Sequence, residues 1–200
     1  SKKLKIMLHH EISGNGKKPL VLLHGFMENT TIWDEMEAHL SKDFTLIKID
    51  LPGHGKSKVY QEIHTVELMA EKVKEVIDAL KLEKINLLGH SLGGYVSLAF
   101  AEKFPEILES MTLFFSTTLA DDEEKKQIRR RSIAVIDENF ETFVKTSIPN
   151  LFSNNEKDIL EGKIELAKNI AKSTNKEGVK AAQLGMAERP DRTEILENLD

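Results

Sequence analysis

The 200-residue sequence contains no cysteine. Disulfides, thiolate nucleophiles and cysteine-ligated metals are therefore excluded as sources of stability or chemistry. Long hydrophobic runs are missing too. None approaches the roughly 20 apolar residues needed to span a bilayer. The basic start Ser1-Lys2-Lys3-Leu4-Lys5 has no signal-like apolar stretch behind it. There is no excess of positive charge: 28 Lys and Arg against 33 Asp and Glu give a net charge of −5. Such a chain has no overall attraction to nucleic acid or to an anionic membrane surface. The expectation is a cytoplasmic domain with neither nucleic-acid nor membrane partners. At 40% hydrophobic it is long enough to bury a core.

The apolar pattern alternates between two kinds of element. Leu4 to His9 alternates apolar and polar residues, as an edge or hairpin strand does. Pro19–Leu23, Phe44–Ile49, Ile85–Leu88 and Ser110–Phe115 are short, nearly continuous apolar runs, the signature of strands covered on both faces. Between them, Thr31–Leu40, Val66–Leu80 and Leu92–Phe104 repeat apolar residues every three or four positions. This order predicts an α/β fold with a doubly wound, mostly parallel sheet. After Phe115 the strand signal stops. Three helical stripes follow: Ile128, Val135 and Ile136; then Ile164, Ala167 and Ala171; then Val179, Ala182, Gln183 and Met186. The expected organisation is a core over residues 1–120, a helical cap over 121–190, and the start of a helix returning to the core over 191–200. Asp191 is its expected N-cap. The acidic run Asp121 to Glu124 and the basic run Arg129-Arg130-Arg131 read as a charged helix face.

Chemistry concentrates in three segments. Gly89-His90-Ser91-Leu92-Gly93 places a serine between a buried strand and a helix, with Gly94 after it. A sharp strand–serine–helix bend strains the serine backbone, so its neighbours two residues away must be small. The bend lifts the hydroxyl above the sheet beside the positive end of the helix. His24-Gly25-Phe26 ends an earlier strand. An attacked carbonyl gathers negative charge on its oxygen, and two backbone N–H groups aimed there stabilise it by several kcal/mol. The Leu92 amide, just after the serine, is one expected donor and the Phe26 amide the other. His24 reads as a structural histidine pinning that loop. In Asp50-Leu51-Pro52-Gly53-His54-Gly55-Lys56-Ser57 the glycines permit a tight turn, but no glycine stands five residues before Gly55, so this is not a phosphate loop. His54 reads as structural.

Together HGF, DLPGHGKS and GHSLGG, in this order and at these separations over residues 19 to 115, resemble the α/β-hydrolase superfamily, in its small bacterial esterase, lactonase and C–C hydrolase-like branch. The resemblance implies Ser91 as nucleophile, the Phe26 and Leu92 amides as oxyanion hole, and a helical cap over Asp121 onward. It implies a small-molecule substrate with an ester, lactone or similar carbonyl bond, and no metal or organic cofactor. Phe26, Trp33, Phe140 and Phe143, with Leu151 and Phe152, are the expected pocket or cap lining, each with ordinary core as its alternative.

One requirement is unmet. A serine hydroxyl needs a base to take its proton, and in this superfamily an acid and then a histidine follow the serine. All seven histidines (His9, His10, His24, His39, His54, His64 and His90) precede Ser91. The chain is therefore expected to lack the last strands of its sheet, with acid and histidine supplied by a C-terminal segment or a second chain, and to be inactive alone. The open sheet edge is expected to be poorly soluble unless that segment, or a homodimer, covers it. A chain that truly ends here would leave Ser91 vestigial, or would use Asp121 or Asp122 as acid without a histidine. A non-catalytic binding domain, or an acyltransferase or perhydrolase on the same fold, are the competing readings.

Overall fold

The computed structural model describes residues 6–199. Strands β1 (His10–Ser13), β2 (Lys18–Leu23), β3 (Phe44–Ile49), β4 (Ile85–His90) and β5 (Leu108–Phe114) form one sheet in the order β1-β3-β2-β4-β5. β2, β3, β4 and β5 run parallel, and β1 pairs antiparallel with β3. Of the alternation at Leu4 to His9, residues 6–9 are not strand, and β1 begins only at His10. Leu4 and Lys5 lie outside the described residues, and His9 bonds to the loop after β3: Asp50 N–H donates to the His9 carbonyl at 2.9 Å and His9 N–H to Ser57 Oγ at 2.9 Å. The register of β3 decides the matter, because its free edge pairs His10 with Ile49 and Ile12 with Ile47.

The continuous apolar runs are covered on both sides. Val21, Leu23, Ile47, Ile49, Ile85 and Leu87 face helices α2 (Val66–Ala79) and α3 (Leu92–Lys103), meeting Met69, Val73, Val76, Val96 and Phe100. Leu20, Leu22 and Leu46 face the opposite layer, where α1 (Asp34–Leu40) and the short 3-10 turn Thr30–Trp33 supply Met36, Leu40 and Trp33. Strand alternation sorts the two sets. β5 is the far edge of the described sheet, and Glu109, Ser110, Thr112 and Phe114 on it are exposed.

Three helices, α4 (Glu123–Ser147), α5 (Glu161–Ser173) and α6 (Lys176–Glu188), follow, and a single-turn α7 (Thr193–Glu197) comes last. Arg192, without a side-chain capping bond, stands at the N-cap position of α7, and Asp191, the expected cap, lies one residue before it, its carboxylate accepting from Thr193 N–H at 2.8 Å. α6 lies so close to the core that glycine is required at two points. A Cβ on Gly178 would fall 2.2 Å from the Gly53 carbonyl, and one on Gly185 would fall 1.7 Å from that of His64. His64 N–H donates to the Ala181 carbonyl at 3.0 Å, completing the seam.

α4 differs from its expected stripe. Ile128 and Val135 are exposed, and only Ile136 of the three is buried. The inward face runs instead through Arg129, Ser132, Ile136, Phe140 and Phe143. It starts on a charged residue because Arg129 Nε is 2.5 Å from the buried Asp121 carboxylate and its Nη1 donates to Gln183 at 3.0 Å. Arg130 and Arg131 remain on the solvated face. At Asn139 (φ −155°, ψ 84°) the helix breaks, and the Asn139 side chain accepts from Thr142 N–H, restarting it.

Asp121 also sits 3.0 Å from Arg189, which lies over the Tyr95 ring at 3.8 Å from its centroid. Burial opposes ionisation of Asp121, but the two guanidinium groups outweigh it and hold the carboxyl below its usual range. Asp121→Asn leaves two facing cations without their counter-ion, and is expected to cost roughly 3 kcal/mol. A urea midpoint unchanged from the parent would refute that assignment.

Candidate active site

Ser91 stands where β4 gives way to α3, with φ 50° and ψ −113°. That backbone is unfavourable for a side-chain-bearing residue. The surroundings impose it: Ser91 N–H donates to the Phe114 carbonyl at 3.0 Å, and the Ser91 carbonyl accepts from Gly94 N–H at 2.8 Å and from Ser116 Oγ at 2.9 Å. A Cβ on Gly89 would fall 2.3 Å from the Gly93 carbonyl, and one on Gly93 would fall 2.2 Å from that of Leu23. Only glycine on both sides lets the bend close. Ser91 is half-buried.

The neighbouring strand ends share this strain. Among the described residues, Met27 (φ 58°), Ser91 and Phe115 (φ 45°) are three of the four non-glycine residues with positive φ, and all three follow the carboxyl ends of parallel strands. Met27 is held by its side chain, buried with Ile136, Phe143, Val144, Ile148, Ala171 and Val179. The loop after β2 is thereby pinned from above by the helical segment. Leu92, as the first residue of α3, has no carbonyl four residues back in the helix for its N–H.

His24 is fully buried. Leu51 N–H donates to its Nε2 at 2.9 Å, so its Nδ1 carries the proton and donates to the Gly25 carbonyl at 2.7 Å. Burial pushes its pKa down to about 4. His54 donates through Nδ1 to the Pro52 carbonyl at 3.0 Å, and burial pushes it down to about 3. Burial also lowers His64, whose Nε2 accepts from Tyr60 N–H at 3.1 Å. All three are neutral fasteners of loops. Asp122 caps α4 by accepting from Lys125 N–H at 2.8 Å, and Asp121 is committed to Arg129 and Arg189. Among the described residues, neither a histidine nor a carboxylate hydrogen-bonds the Ser91 hydroxyl.

Of the expected lining residues, Phe26 and Phe140 are partly buried and flank the Met27 cluster, while Phe143 lies inside it. Phe152 packs there too, whereas Leu151 is exposed. Trp33 is in none of this. At 1% exposed it packs with Leu20, Leu22 and Leu46 against the α1 face of the sheet, and its role is core. Two residues have no role assigned by the motifs, although His90 lies inside one of them. The Glu28 carboxylate accepts from Gly25 N–H at 2.6 Å, and His90 Nδ1 donates to the same oxygen at 2.9 Å.

A model of the α/β hydrolase fold matches residues 18–160. The chain belongs to the α/β hydrolase fold family. A thermophilic esterase from Thermogutta terrifontis is 36% identical with a TM-score of 0.91, covering 96% of this chain and 71% of that one. The enol-lactonase from Burkholderia xenovorans LB400 shares the hydrolase fold at 21% identity and a TM-score of 0.88, over 96% of this chain and 74% of that one. The 2-hydroxy-6-oxononadienedioate/2-hydroxy-6-oxononatrienedioate hydrolase of Escherichia coli K12 is 34% identical over 113 residues, 54% of this chain and 39% of that protein. An uncharacterised Mycobacterium tuberculosis protein is 35% identical over 102 residues, 51% of this chain and 30% of that protein. The chain thus spans roughly a third of the length of the curated relatives it matches. Among the described residues of this α/β-hydrolase-fold chain, no helix is long and apolar enough to cross a membrane.

Proposed function

We propose that this chain carries the nucleophile and oxyanion hole of a cytoplasmic serine hydrolase for an ester, lactone or similar carbonyl bond of a small, largely apolar substrate. The observation that carries the reading is the strained Ser91 bend, closed by Gly89 and Gly93 against β2 at the mouth of α3. Strain of this kind persists where the surroundings over-determine it. In the proposed reaction the Ser91 Oγ attacks the carbonyl carbon and a base takes its proton. The Phe26 and Leu92 amides hold the oxyanion, and the alcohol or enol leaves with a proton as the acyl-enzyme forms. Water then attacks the acyl carbon, and the acid is released with Ser91 restored.

The base and its acid partner are assigned to a segment outside residues 1–200, or to a second chain, which would pair beside the exposed β5 edge. The helical segment 121–190 is the proposed cap over a core spanning 1–120, with 191–200 leading back towards that core. Phe26 and Phe140 are its substrate-facing candidates. One observation favours a second reading, a non-catalytic domain: among the described residues His24, His54 and His64 are all committed to holding loops.

A fluorophosphonate probe applied to the full-length polypeptide separates the two. Covalent labelling that disappears in Ser91→Ala is the expected result. Labelling that survives the substitution, or is absent from the parent, refutes the hydrolase reading. Adding methanol to the reaction distinguishes an acyltransferase, which would give methyl ester in place of acid.

A further inference from the structure

We propose that Glu28, braced by His90, is the positioning residue of the oxyanion hole, setting the direction in which the Phe26 N–H points. The inference rests on the reading of Phe26 and Leu92 as oxyanion donors.

A trans peptide is planar, so its N–H points opposite to its carbonyl. The Gly25 carbonyl is therefore the handle by which the Phe26 N–H is aimed. That carbonyl accepts from His24 Nδ1 at 2.7 Å and from Glu28 N–H at 3.2 Å, which directs the Phe26 N–H away from both. The other side of Gly25 is held equally. Its N–H donates at 2.6 Å to Glu28 Oε2, a charge-assisted bond. Glu28 thus closes the turn from Gly25 to Glu28 twice, once through its backbone and once through its side chain.

The same carboxylate oxygen faces His90 Nδ1 at 2.9 Å. A carboxylate oxygen only accepts, so His90 donates. His90 is the residue before Ser91, and its ring also rests near Phe114, 5.8 Å between centroids. One side-chain oxygen therefore joins the donor loop to the strand end carrying the nucleophile, and fixes the distance between them. The space confirms how closely the parts fit. A Cβ on Gly25 would lie 2.8 Å from Glu28 Oε2 and 2.9 Å from His90 Nδ1. Glycine at 25 is what admits the carboxylate.

The experiment is steady-state hydrolysis of p-nitrophenyl acetate by the full-length polypeptide. Glu28→Ala is expected to lower kcat by about 10²-fold with KM within about threefold, the pattern of a misdirected oxyanion donor. Glu28→Gln keeps an oxygen that accepts from both partners, and is expected to restore kcat to within about threefold of the parent. A general loss of packing would not be rescued in this way, nor would it spare KM. Parent-like kcat in Glu28→Ala, with Ser91→Ala inactive, overturns the positioning role and leaves the nucleophile reading standing. Equal losses in Glu28→Gln and Glu28→Ala overturn it as well. Hydrolysis that persists in Ser91→Ala removes both. Should Glu28→Ala fail to fold, His90→Leu decides, with a fall in kcat of about tenfold expected and an unchanged kcat refuting.

Discussion

Ser91→Gly is expected to make the protein more stable while abolishing its turnover. The φ of 50° and ψ of −113° at Ser91 lie where a Cβ is crowded and glycine is not. Relief of such strain gives about 1–3 kcal/mol. Glycine then loses about 0.5–1 kcal/mol through the greater freedom of its unfolded chain. The net expectation is a gain of about 1 kcal/mol, read as a higher urea midpoint at unchanged slope. On the proposed mechanism, hydrolysis of p-nitrophenyl acetate by the full-length polypeptide is expected to fall by about 10⁴-fold or more, because no nucleophile remains. Ser91→Ala keeps the Cβ and therefore the strain. It should lose activity equally without gaining stability. A glycine variant less stable than the alanine variant would mean that the bend holds no strain.

Acid is expected to unfold this protein through its buried histidines. His24 and His54 are neutral and buried, with folded pKa values of about 4 and about 3. Unfolded, each binds its proton near 6.5. The folded pKa is the lower one, so the stability these groups allow is complete above pH 6.5 and drains away as pH falls towards 4 and 3. Each contributes about 1.4 kcal/mol per pH unit in that window. Two groups over two units cost about 5 kcal/mol by pH 4.5, comparable with the whole stability of many domains. The lowered carboxylates, Asp121 among them, lose their contribution only below about pH 4. The two effects therefore occupy separate windows. Urea midpoints followed by circular dichroism from pH 7.5 to 4.5 give the test. His54→Asn, whose amide can replace the Nδ1 donor to Pro52, is expected to flatten the slope by roughly one proton. A midpoint that does not move between pH 7 and 5 would refute the assignment.

The sheet was legible because central strands in a parallel sheet are apolar on both faces. Leu20 to Leu23, Phe44–Ile49 and Ile85–Leu88 announce themselves. β1 is not marked by its local pattern because an edge strand has one neighbour, and the register of β3 places it at His10–Ser13. In α4 the apolar Ile128 and Val135 face outward. Its inward row begins with Arg129, and nothing in the local pattern says that Asp121, eight residues earlier, and Arg189, sixty later, will meet there. Ser91, Phe26 and Leu92 were legible as candidates because their neighbours must be glycine or a strand end. Glu28 was not, since its partners are set by how the loops fold back. Trp33 illustrates the converse: a large aromatic reads as pocket or core alike until the sheet face it covers is known.

The two glycines on α6 have an evolutionary consequence. A helix that meets the core backbone to backbone at residues 53 and 64 cannot be exchanged for one with side chains there. The stretch between the Asn139 break and α6 has no such seam. Chimeras that transplant another member's helices between 139 and 175 should therefore keep this scaffold, whereas swaps reaching through 178 and 185 should wreck it. Sequence can then diversify in one stretch of the helical segment while the other stays welded to the sheet layer.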